Sequence, residues 1–206
     1  MSLKHLTVAT LLAACTFVPR VSAQKNELSG LLGRTFIRDQ GIVGGTFFDN
    51  NVHFGSGLTF EANYARRVLG TGLASISLEV PFVVNWDEEL RSDAVEIPRS
   101  LKSYFLTPAA RLNIFPDDAV SPWVSFGGGF GHFSESSTQI AGVPSKTGTT
   151  TGALQAGVGL DVRVYHSFSV RGEARDFWSG VPQLNVDTGR SRQHNYFVAA
   201  GIVWHF

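Results

Sequence analysis

Hydrophobic and polar residues alternate along most of this chain, which is the pattern of β-strands that have one face in an apolar environment. The clearest segment runs from Ala74 to Trp86, where Ala, Ile, Leu, Val, Phe, Val and Trp occupy every second position. Comparable runs occupy residues 54–66, 104–114, 123–133, 154–164, 168–175 and 195–206, and a weaker one occupies residues 27–38. The pattern predicts eight strands.

The intervals between these runs alternate between long and short. Residues 39–53, 87–101, 134–150 and 179–193 form long connections, whereas residues 67–73, 116–121 and 165–167 form short ones. Such alternation is typical of an up-and-down membrane barrel with tight turns at one end and loops at the other. We therefore expect an all-β fold, an eight-stranded antiparallel up-and-down transmembrane β-barrel, with both chain ends on the short-turn side.

Periodicity alone does not separate this barrel from a soluble one, such as a lipocalin, whose apolar face points inward. The polar face distinguishes the membrane barrel from the soluble one, because it carries charged residues near the strand centres, with glycines beside them. An eight-stranded barrel has room inside only for packed side chains or one small ligand. Paired charges suit such a lumen, and the continuous apolar ribbons suit lipid. The predicted inward charges are Glu61, Glu79, Arg111, Asp161, Arg163, Arg171, Glu173 and Arg175.

Buried charges need partners, so these eight residues are expected to form a network that fills the barrel and fixes the strand register. The alternative is a gated ion path through a small pore. The glycines Gly127, Gly128 and Gly129 are not followed by a helix, so we do not interpret them as a phosphate-binding loop. We expect them to make room for an arginine or aromatic side chain inside the barrel.

The last run ends on Phe206 and places Tyr196, Trp204 and Phe206 on one face. Tyr196 and Phe206 are ten residues apart, or about 33 Å along a strand and about 25 Å vertically at the usual tilt. That height matches the apolar band of a membrane barrel, which has aromatic residues at both rims.

The first 23 residues have the pattern of an export signal. Lys4 is followed by an apolar run from Leu6 to Val18, and the small residues of Val21-Ser22-Ala23 precede the predicted cleavage point. The expected organisation is a signal peptide over 1–23 and a barrel domain over 24–206. A competing interpretation takes Leu12-Ala13-Ala14-Cys15 as a lipobox with a lipidated cysteine.

The composition narrows the function classes. The formal charge is zero, which argues against a nucleic-acid partner. The single cysteine lies within the signal, so the mature chain is expected to have no disulfide, and the six scattered histidines do not form a metal site. We predict no cofactor. One enzymatic alternative remains, in which His132 and Ser134 cleave an acyl ester as base and nucleophile.

Taken together, the chain resembles the small eight-stranded outer-membrane barrels, the group that includes the OmpA transmembrane domain. The ending is the most specific part, since Gly201, Trp204 and Phe206 match the C-terminal assembly signal of that family, although Ala199 stands where a polar residue is usual. The resemblance implies a monomer in the outer membrane, with lipid and the barrel-assembly machinery as partners. The expected role is structural or surface interaction through the long loops. The small pore and, less favoured, the lipid A acyl hydrolase are the alternatives.

Overall fold

A computed structural model describes residues 25–44, 49–93, 97–136, 139–140, 143–144, 148–182, 184 and 186–206. The expected signal peptide, with Cys15, lies outside this range. The strands are β1 (Asn26–Ile37), β2 (Gln40–Gly41), β3 (Asn51–Phe54), β4 (Ser56–Gly70), β5 (Ala74–Arg91), β6 (Ser100–Leu106), β7 (Ala109–Ile114), β8 (Val120–Glu135), β9 (Gln139–Ile140), β10 (Val143–Pro144), β11 (Thr149–Tyr165), β12 (Phe168–Gly180) and β13 (Arg192–His205).

The long strands form a closed barrel in which each pairs antiparallel with its sequence neighbours. The order is β1, β4, β5, β6 with β7, β8, β11, β12 and β13. The barrel closes where β13 pairs with β1, from Glu27 opposite His205 to Ile37 opposite Asn195. The predicted eight-stranded up-and-down barrel is confirmed, including the weakly patterned first strand.

The two ends of the barrel differ as the spacing predicted. Short turns at residues 71–73, 115–119 and 166–167 lie at the end where β1 begins and β13 finishes. The other end, called the loop pole here, carries the connections 38–55, 92–99, 136–148 and 181–191, and β2, β3, β9 and β10 lie within them. Six of the eight barrel strands reach further toward the loop pole than predicted. For example, β5 extends to Arg91, β12 extends to Gly180 and β11 begins at Thr149.

The outward face is apolar along the whole barrel wall, with large hydrophobic side chains exposed on every long strand. Its aromatic members at the two rims include Phe36, Trp86, Trp178, Tyr64, Phe168, Trp204 and Phe206. A continuous apolar band on a closed barrel is the surface that lipid covers. In the described part of the chain, no helix is long and apolar enough to cross a membrane.

One barrel strand is interrupted at Thr107 and Pro108, between β6 and β7. Proline has no backbone N–H, so it cannot donate to the sheet there. A Cβ atom at Gly127 would overlap the carbonyl oxygen of Pro108, and one at Gly129 would overlap that of Leu106. The expectation that these glycines accommodate a lumen side chain was wrong, because they admit the backbone of the interrupted strand.

The seam between β1 and β13 is also tightly packed. A Cβ atom at Gly201 would overlap the carbonyl oxygen of Gly30 and lie 2.6 Å from the Cα of Leu31. A Cβ atom at Gly33 would overlap the carbonyl oxygen of Val198 across the same seam. Gly30 itself has open space where its side chain would be. Glycine is therefore required at Gly201 on β13 and at Gly33 on β1, and it is optional at Gly30.

The Gly201→Ala variant should be less stable than the Gly30→Ala variant, because only the first crowds the closing strands. Overpacking of this kind costs about 1–3 kcal/mol of unfolding free energy. Reversible urea unfolding of both variants in lipid vesicles checks the difference. Equal stability of the two variants would contradict the seam geometry.

Candidate functional site

Three arginines and five carboxylates share the interior of the short-turn half of the barrel. All eight side chains are buried. They are Arg111, Arg171, Arg175, Glu27, Glu61, Glu79, Asp161 and Glu173. We call this group the charged layer.

Arg175 on β12 is the most connected member of the charged layer. Its Nε lies 2.6 Å from Glu173, its Nη1 lies 2.8 Å from Glu79, and its Nη2 lies 3.2 Å from Glu61. Glu61 belongs to β4 and Glu79 to β5, so one guanidinium ties three strands together across the lumen.

Glu79 and Glu27 link the three arginines into one chain of contacts. Glu79 also lies 3.5 Å from Arg111. Glu27 accepts a hydrogen bond from Arg111 and lies 3.2 Å from Arg171, which is itself 2.7 Å from Asp161. Because charged groups buried without partners are very costly, this continuity is what allows them to occupy the interior.

Trp123 lies at the centre of the charged layer. The guanidinium carbons of Arg111, Arg171 and Arg175 lie 5.5, 5.2 and 5.3 Å from its ring centroid, within cation–π range. Its indole Nε1 donates a hydrogen bond of 3.3 Å to Asp161. The ring separates three like charges while it attracts each of them.

The structure brings together seven of the eight charges predicted to face the lumen. Arg163 lies apart from them, half-buried at the short-turn rim, where it donates hydrogen bonds of 3.2 Å to the carbonyl oxygens of Pro116 and Asp117. Glu27 and Trp123 were not among the residues predicted to face the lumen. The alternation of apolar and polar positions could have identified them, since Trp123 shares the odd-numbered face of its strand with the predicted inward glycines.

Replacing Arg175 with leucine should be strongly destabilising, because it leaves three carboxylates without their common partner. Removing one partner of a buried ion pair costs about 3–5 kcal/mol. Arg163→Leu is the matched control and should cost less, since its rim position lets water reach the freed carbonyls. Unfolding free energies in lipid vesicles measure both, and a loss for Arg175→Leu no larger than for Arg163→Leu would contradict the network.

A second, apolar layer fills the barrel toward the loop pole. Phe105 stacks on Phe177 with ring centroids 4.6 Å apart and meets Phe133 edge-on at 5.8 Å. These rings are fully buried, together with Phe197. Residues from the loop-pole half cover the layer: Val52, Leu90, Ile97, Leu101 and Leu184. The lumen was predicted to be filled by the charged network, so this aromatic layer is an addition to that prediction.

A polar cluster lies above the aromatic layer. Gln40 donates to Gln193 at 2.9 Å and accepts from Thr188 at 3.0 Å. Gln193 donates in turn to Asn195, which donates to the carbonyl oxygen of Phe177. These contacts attach β2 and Thr188 of the 181–191 connection to the rim of the barrel.

His53 joins two carboxylates on the surface of the loop pole. Its Nδ1 lies 2.6 Å from Asp39 and its Nε2 lies 2.9 Å from Asp49. Hydrogen bonds that the imidazole donates to Asp49 and Asp39 raise the pKa of His53 above its usual value of 6.5, and the bond with His53 lowers the pKa of Asp49. The charged imidazole therefore holds the two ends of the 39–53 connection together.

This tether should weaken as the pH rises. Because the pKa of His53 is raised in the folded protein, its contribution is complete below pH 6.5 and disappears as the pH passes through the raised value. An NMR titration of the imidazole should give a pKa above 6.5 that falls in Asp49→Asn. Asp118→Asn, at the opposite end, should leave it unchanged, and a titration at or below 6.5 would exclude the tether.

The enzymatic alternative rested on the outward pair His132 and Ser134. The Nδ1 of His132 lies 2.8 Å from the hydroxyl of Thr150, so this nitrogen faces another hydroxyl. Glu135 is buried on the opposite face of the strand. The acid that this alternative would also require was sought at residues 144–146, which read Pro-Ser-Lys and lie largely outside the described residues. Within the described ranges, no group of three or more His, Cys, Asp or Glu side chains could hold a metal.

No family model matches the chain, and no curated protein matches its sequence. Solved structures do match its fold. Neisserial surface protein A is 12% identical with a TM-score of 0.54, over 89% of this chain and 98% of that chain. The outer membrane protein OprG from Pseudomonas aeruginosa is 10% identical with a TM-score of 0.58, over 89% of this chain and 96% of that chain.

The chain has the fold of the small outer-membrane barrels. The likeness extends over most of this chain and nearly the whole length of both matched structures. This likeness concerns the fold. The role of this chain therefore has to be inferred from its own lumen and surfaces.

Proposed function

We propose that this chain is an outer-membrane protein with a sealed barrel, which supports a structural or surface-interaction role through its loop pole. The observation that carries the proposal is the two-layer filling of the lumen. The charged layer occupies the short-turn half, and the aromatic layer occupies the half beneath the loops. Because these two layers of side chains lie across the lumen in the described part of the chain, the surfaces we propose for function are the loops and the outer wall.

The proposed location rests on the outward apolar band and the expected export signal. Gly201, Trp204 and Phe206 are proposed as part of the signal read by the barrel-assembly machinery. Trp204 and Phe206 lie on the lipid-facing side with their rings 4.7 Å apart, which makes them accessible on the last strand. The barrel closes on itself through β1 and β13, and we propose a monomer surrounded by lipid.

A small pore is the competing function, and ion conduction separates the two. The purified protein in a planar bilayer should show no steady conductance, because a charged path would have to cross the buried contact between Phe105 and Phe177. The variant Phe105→Ala/Phe177→Ala should remain closed as well, since the charged layer beneath the aromatic layer is intact.

Steady conductance of the unchanged protein, abolished by Arg171→Gln or Glu173→Gln, would replace the sealed barrel with a gated ion path. Folding of each variant is checked by circular dichroism in the same lipid. A silent bilayer with folded, inserted protein supports the sealed barrel.

A further inference from the structure

The outer wall has a shallow depression beside the interrupted strand. It has a volume of about 350 Å³ and lies between β5, β7 and β8. Its outward lining is apolar and consists of Leu78, Val80, Pro108, Ala110 and Phe126. Gly127, whose missing side chain admits the carbonyl of Pro108, also lines the depression.

A polar group lies above this depression on the same strands, at the rim toward the loop pole. The ammonium of Lys102 lies 4.8 Å from the ring centroid of Trp86. On the adjacent strand, the ring of His132 lies 6.2 Å from that of Tyr104 and bonds the hydroxyl of Thr150. A cation, an imidazole and hydroxyl groups at a membrane rim offer the donors that a phosphate prefers.

The distance between the two features equals the reach of a lipid chain. Lys102 and Pro108 are six residues apart on one barrel strand, or about 20 Å along it. At a tilt near 40° that is a descent of about 15 Å, half of the roughly 30 Å hydrocarbon core. The depression therefore lies near the middle of the membrane, at the depth where the acyl chain of a lipid in the loop-side leaflet ends.

We propose that this face binds one phosphate-bearing anionic lipid. The headgroup phosphate lies at Lys102, beside Tyr104 and His132, and the end of one acyl chain occupies the depression at Pro108. Charge complementarity selects the headgroup. The interruption of the strand creates the depression that holds the acyl chain. The site therefore combines two features, the polar group and the depression, that lie on the same three barrel strands.

Photo-crosslinking tests the site on the full-length protein in phosphatidylcholine nanodiscs. The probe is phosphatidylglycerol with a diazirine near the end of one acyl chain, and crosslinked peptides are located by mass spectrometry. Crosslinks should concentrate on peptides that contain Ala110 and Phe126. Lys102→Gln should reduce them about five-fold, the usual contribution of one basic residue at a membrane surface.

Two further variants distinguish a built site from general lipid contact. Ala110→Trp fills the depression and should move the crosslinks elsewhere without loss of folding, since residue 110 faces outward. Arg192→Gln removes the other rim cation that stacks on a tryptophan, Trp178 at 4.9 Å, and should leave crosslinks at Ala110 unchanged.

Three results would overturn the proposal. The first is crosslinking spread evenly around the barrel. The second is equal labelling at Ala110 by a phosphatidylcholine probe with the same diazirine. The third is an equal loss in Arg192→Gln and Lys102→Gln. Circular dichroism and migration of the folded form confirm that each variant is native before it is labelled.

Discussion

The rest of this structure depends on the neutralisation of charges enclosed in a tube that lipid surrounds. A guanidinium in the lumen has little water to solvate it, so its partners must be other inward side chains. Arg175 meets carboxylates from β4, β5 and its own strand, and Glu27 on β1 meets arginines from β7 and β12. These cross-lumen contacts fix how the strands face one another.

The same contacts need not add much net stability. Desolvation of an ion pair offsets most of its attraction, and a well-packed apolar core of equal volume is often as stable. What the charged layer supplies is a definite register, because a slip of one residue would move an inward charge to the lipid side. Trp123 serves this arrangement, since a flat aromatic ring holds three guanidinium groups near it without a competing charge.

The outward half of the fold was predictable from the sequence, and the inward half was so only in part. Lipid presents a uniform apolar environment, so every outward position obeys one rule and ribbons such as Ala74 to Trp86 are readable residue by residue. An inward side chain is selected by partners from distant strands. Arg163 obeys the same alternation as Arg171, yet the carbonyls of a nearby turn bind it instead.

The inward aromatic residues show why the filling of the lumen was hidden. Phe105, Phe133, Phe177 and Phe197 stand at inward positions, but each lies in a strand whose outward face is also apolar and aromatic. Only closure of the barrel places them together. Gly131 gives the same lesson, because its missing side chain makes room for the ring of Phe105. Such pairs depend on how neighbouring strands are aligned, and the sequence of one strand alone does not determine that alignment.

If the lumen is sealed, as we propose, the irregular wall beside Pro108 has a different meaning than in a pore. In a barrel with an open pore, the interruption at Thr107 and Pro108 could form part of the path for ions or solutes. Here the hydroxyl of Thr107 is buried and lies 2.6 Å from the side chain of Gln155, so the inner side of the interruption is closed by hydrogen bonding. Its outer side stays hollow. The irregularity therefore acts on the membrane around the protein, and lipid recognition follows from the same proline and glycines that break the strand.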